Sequence, residues 1–203
     1  MGANRSVREV SLLVLAAGHS TRFGSQDKLA APFRSSTVLE ETLKTYETQE
    51  FQSRTLVIPT GSPHLEAIAV NHAFKIVFNP HPEQGLSSSI QYGLADATLS
   101  DGVMIALGDM PSIRPETISR LVEAFGRGDQ TIFAPTIDGR RGHPIIFAAE
   151  HYDDLRHLSG DQGGRSIIEN NAEGTQLIEV DDPGILADID TEADRRKLNV
   201  GRQ

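Results

Sequence analysis

Leu12-Leu13-Val14-Leu15-Ala16-Ala17-Gly18-His19-Ser20-Thr21-Arg22-Phe23-Gly24-Ser25-Gln26-Asp27-Lys28-Leu29 is the stretch that decides the fold. Leu12 to Ala16 is apolar at every position rather than at alternate ones. That pattern predicts a parallel strand covered on both faces. The strand runs into small residues and then into two cations, Arg22 and Lys28. It is too short for a signal-peptide core or a membrane span, and glycine and charge follow it directly.

The rest of the chain repeats the strand-then-helix alternation. Thr37-x-x-Glu40 fits a capping box, with Leu39, Leu43 and Tyr46 recurring at helical spacing behind it. Arg54 to Pro59 is a second strand. Ser62-Pro63 then opens a helix whose stripe is Leu65, Ile68, Ala69 and His72. Lys75 to Phe78 is a third strand, ending in the loop Asn79 to Gly85. A helix starts in Ser87-Ser88-Ser89. Gly102 to Leu107 is a fourth strand, closed by Gly108-Asp109-Met110-Pro111. Pro115 opens a helix carrying Ile118, Leu121, Val122 and Phe125. Thr131 to Ile137 and Pro144 to Phe147 read as strands joined by the polar turn from Asp138 to Gly142. A helix over Ala148 to Leu158, a glycine-rich loop from Ser159 to Gly164, a strand over Gln176 to Val180 and a short charged helix complete the chain.

This alternation predicts an α/β, three-layer, Rossmann-like fold: a mostly parallel sheet with helices on both faces. Residues 1–9 read as a flexible polar tail and 10–203 as a single domain. In such sheets ligands bind beyond the carboxyl ends of the strands. The Gly18 loop, the loop from Asn79 to Gly85 and Asp109 should therefore share one rim.

The chain has 203 residues, and 19 basic against 28 acidic residues give it a net charge of -9. No basic run is present to meet a nucleic-acid backbone. The chain has no cysteine, so it has neither disulfides nor thiolate chemistry, and it suits a reducing cytoplasm. His19, His64, His72, His81, His151 and His157 show no metal-ligand spacing.

A loop that wraps a triphosphate needs small residues, so that backbone amides can approach the oxygens, and one or two cations. Following Leu15, the residues Ala16, Ala17, Gly18, Ser20 and Gly24 supply the first, and Arg22 and Lys28 the second. The spacing matches neither a Walker loop nor the dinucleotide-binding glycine pattern. An ordinary strand-to-helix turn with exposed cations is the competing reading. Asp109, at the end of an apolar strand, has the chemistry of a magnesium ligand and equally that of a helix cap. Asp188, Asp190 and Asp194 supply a second carboxylate or form a solvated cluster, the latter being preferred for Asp194.

Leu15-Ala16-Ala17-Gly18-x-Ser20-x-Arg22-Phe23-Gly24-x-x-x-Lys28-Leu29 resembles the signature loop of the molybdenum-cofactor nucleotidyltransferases (MobA-like NTP transferases). Gly85-Leu86-Ser87-Ser88-Ser89-Ile90-x-x-Gly93-Leu94, Leu107-Gly108-Asp109-Met110-Pro111, Arg141-Gly142-His143-Pro144 with Gly160-Asp161-x-Gly163-Gly164-Arg165, and Asp188-Ile189-Asp190-Thr191-x-x-Asp194 match further family segments in the same order. The likeness spans nearly the whole chain. Ala17, where guanylyl-transferring relatives usually carry glycine, resembles the molybdopterin cytidylyltransferases most.

The resemblance implies the nucleotide-diphospho-sugar transferase-like fold and a cytoplasmic, magnesium-dependent transfer of CMP from CTP to a molybdopterin phosphate. Lys28, Arg22 and Asp109 would be the catalytic residues, and Ser87, Ser88 and Gly108 would join the Gly18 loop around the nucleotide. Mg2+ would be held by Asp109 with Asp190 or Asp188. The acceptor would meet Gly142, His143, Pro144, Gly160, Asp161 and Gly163, and a molybdoenzyme is a possible recipient. His143 reads as a substrate-contacting or structural residue rather than a catalyst, and Asp161 also fits an ordinary turn aspartate. A sugar-phosphate acceptor, guanylyl transfer from GTP, and a molybdopterin-binding chaperone are the alternatives. Lys28→Ala and Asp109→Ala are each expected to abolish most turnover and leave stability nearly intact.

Overall fold

A computed structural model of the protein describes residues 7–18, 27–98, 100–161 and 163–200. The opening strand, β1 (Val10–Leu15), is buried along its whole length. It lies between β4 (Arg54–Pro59) and β6 (Gly102–Leu107) and pairs parallel with both. β4 pairs parallel with β5 (Lys75–Asn79) at one edge. On the other side β9 (Ile145–Ala148) runs antiparallel between β6 and β7 (Ile132–Ile137), and β10 (Thr175–Glu179) pairs parallel with β7. The sheet order is β10-β7-β9-β6-β1-β4-β5, with β8 (Arg140–Arg141) hairpinned onto β7. A separate two-stranded ribbon joins β2 (Pro32–Phe33) and β3 (Ser36–Thr37).

The absence of alternation in β1 follows from its two covered faces. Leu12 and Val14 pack into one core with α1 (Val38–Glu47), α2 (Pro63–Asn71) and α4 (Pro115–Arg127). Leu13 and Leu15 point the other way, into a second core with α3 (Leu86–Asp96), α5 (Tyr152–Arg156) and α6 (Arg165–Asn170). This is the expected three-layer, Rossmann-like, mostly parallel architecture. The Thr37–Glu40 capping box is present, and Leu39, Leu43 and Tyr46 are fully buried beneath it. α7 (Glu192–Val200) ends the described chain.

Several local expectations change. The helix expected over Ala148 to Leu158 is a 3-10 turn (Ala149–His151) followed by the five residues of α5. Helix α6 had no sequence signal, because it is six residues long and follows directly on a glycine run. The broad turn from Asp138 to Gly142 is a two-residue turn: Asp138 and Gly139 take φ of 50° and 72°, and β8 pairs at once. Helix α3 begins at Leu86, with Gly85 as its cap at φ 87°.

Arg8 and Glu9, expected within the polar tail, are held against the fold. Arg8 donates through Nε to the carbonyl of Phe125 at 2.9 Å and through Nη2 to that of Gly128 at 2.6 Å. Its guanidinium lies 4.0 Å from the Phe125 ring centroid. A cation at the carboxyl end of α4 satisfies orphan carbonyls and gains a cation–π contact, so Arg8 is anchored. Glu9 is held as well, its N–H donating to Asp101 Oδ2 at 2.9 Å.

Candidate active site

The carboxyl ends of β1, β5 and β6 open onto a cavity of about 490 Å³. Leu15 to Gly18 line it from β1, and Lys28 and Leu29 from the next described turn. Pro82, Glu83, Gly85, Leu86 and Ser89 come from the β5–α3 connection, Leu107 and Asp109 from β6, and Asp161 from the loop after α5. Close backbone approach fixes the floor. The Gly108 N–H donates to the Leu15 carbonyl at 2.9 Å, and a Cβ on Gly108 would sit 3.1 Å from Ala16 Cβ. Gly108 is therefore explained by packing, and it turns the chain so that Asp109 faces the cavity.

Lys28 is the centre of the charged wall. It lies on a 3-10 turn (Lys28–Ala30) capped by Asp27, whose Oδ1 accepts the Leu29 N–H at 3.0 Å. The second Asp27 oxygen, Oδ2, lies 2.8 Å from His64 Nε2 on α2. Lys28 Nζ donates to Asp109 Oδ2 at 2.6 Å and to Asp190 Oδ1 at 3.2 Å. Asp190 arrives from the far end of the chain because the Ile189 N–H donates to the Asp109 carbonyl at 3.0 Å and the Ile189 side chain is fully buried.

Lys28 is only 9% exposed. Burial pulls its ammonium pKa down, but Asp109 and Asp190 outweigh that and hold it above the ordinary lysine value. Burial pushes the Asp188 carboxyl up, and the neighbouring Asp109 and Asp190 charges add to the rise. Asp109 Oδ1 is buried and has no hydrogen-bond partner among the described residues. A buried charged acceptor left open in this way is the position at which a cation would complete the site. Among the described residues, no group of three carboxylates or imidazoles has the arrangement of a metal cage. Mg2+ does not need one, since it takes one or two protein carboxylates and draws its other ligands from phosphate and water.

The other expected residues divide. Ser20, Arg22 and Gly24 lie outside the described residues. Leu15, Ala16, Ala17, Gly18, Lys28 and Asp109 come together as expected. Ser87 and Ser88 do not line the cavity. Ser88 Oγ is buried, accepts from Asn79 Nδ2 at 2.8 Å and reaches the His81 and Gly85 carbonyls, so it holds the β5–α3 connection together. Ser89 is the serine on the wall. Asp194 completes a capping box at the start of α7: Thr191 Oγ1 accepts its N–H at 3.2 Å, and its Oδ2 accepts the Thr191 N–H at 2.8 Å.

Gly160, Asp161 and Gly163 pack against the start of α3. Gly142 is pressed against the segment before Asp188: a Cβ there would lie 2.3 Å from the Ile185 carbonyl oxygen. Gly142→Ala is therefore expected to cost about 1–3 kcal/mol of stability through overpacking, read as a lowered urea midpoint. An unchanged midpoint would remove this packing explanation. The adjacent His143 has a buried Nδ1 with no partner among the described residues. Burial, reinforced by Arg141 and opposed by Asp188, brings its pKa down to about 4. At neutral pH the ring is therefore uncharged.

Asp27 and His64, beside the turn that presents Lys28, were missed. Asp27 carried a signal, since a cap must precede the turn that presents Lys28. His64 carried none, because only tertiary structure brings α2 beside Asp27.

Residues 12–176 match the model of the MobA-like NTP transferase domain. The chain belongs to that family. It is a nucleotidyltransferase. It is 28% identical to nicotine blue oxidoreductase of Paenarthrobacter nicotinovorans, over 90% of this chain and 92% of that one. It is 30% identical to purine catabolism protein PucB of Bacillus subtilis, over 87% and 89%. A molybdenum cofactor guanylyltransferase of Mesorhizobium japonicum is 27% identical over 80% and 78%. Among solved structures, Rv0371c of Mycobacterium tuberculosis superposes with a TM-score of 0.85 at 26% identity, covering 96% of this chain and 98% of that one. No helix among the described residues is long and apolar enough to cross a membrane.

Proposed function

We propose that the enzyme transfers CMP from CTP to the terminal phosphate of molybdopterin, or of its metallated form, releasing pyrophosphate. The observation that carries this reading is the Lys28 ammonium held between Asp109 and Asp190 on the wall of a cavity floored by the small residues of the β1 loop. An acceptor phosphate oxygen attacks the α-phosphorus, the α–β bridging bond breaks, and its electrons leave with pyrophosphate. A phosphate monoester is already largely ionised at neutral pH, so no protein base is needed. Neutral, buried His143 fits a role in contacting the acceptor or shaping its site.

Lys28, joined by Arg22 from the signature loop, neutralises the phosphate oxygens on which charge gathers. Asp109 and Asp190 would hold Mg2+, with Asp188 beside them, and the open Asp109 Oδ1 fits that role. Bound there, the ion supplies positive charge against the phosphate oxygens. Gly142 to Pro144, with Gly160 and Gly163, form the acceptor side. The guanylyltransferase relative supports a molybdopterin-type acceptor, and Ala17 supports cytosine over guanine by likeness to the cytidylyl branch. The cysteine-free sequence supports a reducing cytoplasm.

The test is pyrophosphate release from a matrix of CTP, GTP, ATP and UTP against molybdopterin, its metallated form and sugar phosphates, with Mg2+ present. CTP with a molybdopterin is expected to dominate. Preference for GTP would move the enzyme to guanylyl transfer, and release only with a sugar phosphate would replace the acceptor. Molybdopterin binding without release from any nucleotide would favour a carrier role.

A further inference from the structure

The loop that the sequence assigns to the acceptor is fastened to the helix that borders the nucleotide. The Asp161 Oδ1 atom accepts the Leu86 N–H at 3.2 Å, and the Gly160 carbonyl accepts the Ser87 N–H at 3.1 Å. These are two of the four N–H groups that α3 leaves without an intrahelical partner at its first turn. Gln91, farther along α3, donates through Nε2 to the Leu158 carbonyl at 2.7 Å.

Two glycines make the approach possible. A Cβ on Gly85 would lie 2.2 Å from Asp161 Oδ1 and 2.9 Å from the Gly160 carbonyl oxygen. A Cβ on Gly163, which also has φ 51°, would lie 2.9 Å from Leu86 Cδ2. Gly85 offers no side chain to cap the helix, and α3 makes no side-chain cap hydrogen bond of its own.

We propose that Asp161 is a positioning residue for the nucleotide. It caps α3 from across the fold and fixes where Gly85, Leu86 and Ser89 stand on the cavity wall. The role rests on the reading of this cavity as the nucleotide site. It departs from the expected one, in which Asp161 touches the acceptor. Since the cap lies on the same loop as the acceptor-side glycines, it also ties nucleotide affinity to the conformation of that loop.

The test compares Asp161→Ala with Asp161→Asn, whose amide oxygen still accepts a hydrogen bond. Losing a cap of this kind is worth about a tenfold change in an equilibrium. Asp161→Ala should therefore raise the nucleotide KM about tenfold and leave kcat and the acceptor KM nearly unchanged. Asp161→Asn should stay within about twofold of wild type, because Asn caps nearly as well as Asp. Amide exchange should show Leu86 and Ser87 losing protection in the Ala variant and keeping it in the Asn variant.

An unchanged nucleotide KM in Asp161→Ala, or a rise confined to the acceptor KM, overturns the proposal. So does an Asn variant as impaired as the Ala variant. Calorimetry of the wild type with CTP and with GTP separates the two levels. If neither binds, the nucleotide reading fails and takes this role with it, even where amide exchange still reports the cap.

Discussion

Lys28→Ala is expected to lower turnover about 10²–10³-fold, the usual cost of removing one preorganised donor from a site where charge develops. Its Nζ is the only described side-chain donor that joins Asp109 to Asp190, and it lies where the β1 loop and the end of β6 meet. With Ala, phosphate oxygens would face three acidic side chains with one fewer cation. The structure also revises the expectation that stability would be untouched. Asp109 and Asp190 would lose a partner that is itself almost fully buried, and Asp188 already carries a pKa raised by burial and by their charges. Breaking a fully buried pair costs about 3–5 kcal/mol. Asp190 is 41% exposed in its side chain, so solvent reduces the loss here to about 1–3 kcal/mol. Lys28→Arg separates the two effects. It restores positive charge and most of the stability, while the wider guanidinium fork misplaces the donor and turnover stays low. Near-wild-type turnover in a folded Lys28→Ala protein would exclude Lys28 from the chemistry.

The sequence made the loop and its two partners legible for different reasons. The unbroken apolar run from Leu12 to Ala16 announced a strand with two covered faces, and β1 has them. Asp109 was legible because an apolar strand ending in an aspartate puts that carboxylate on the sheet's rim. Asp190 could be placed only by likeness, since nothing local says that the Ile189 N–H docks on the Asp109 carbonyl 80 residues away in sequence. Ser87 and Ser88 lie off the cavity wall for a similar reason. A serine run at a helix start has the composition of a ligand loop, but the buried Asn79 amide takes the hydroxyls of Ser88 and Ser89. The short α5 and α6 escaped because five or six residues cannot establish a helical period. Arg8 escaped because its partners are carbonyls at the end of a helix more than 100 residues later.

Asp109→Asn carries the second large effect and bears on the metal directly. The substitution keeps size and keeps an oxygen able to accept from Lys28, so stability should change by less than in Lys28→Ala. It removes the negative charge at the one buried carboxylate oxygen that the described structure leaves without a partner. A divalent ion offered a neutral amide in place of a hard anionic oxygen binds far less tightly. The charge neutralisation lost is worth several kcal/mol in the transition state, so turnover should fall about 10³-fold at saturating nucleotide. The distinguishing measurement is binding rather than rate. Mn2+ titrated by electron paramagnetic resonance, with a non-hydrolysable CTP analogue present, should bind the wild type and show a large loss of affinity in Asp109→Asn. Asp190→Asn should give a smaller loss, because Asp190 is the more exposed carboxylate and water can take its place. Equal Mn2+ affinity in wild type and Asp109→Asn would remove Asp109 from the metal site, whatever happens to turnover. A loss larger in Asp190→Asn than in Asp109→Asn would reverse the order of the two ligands.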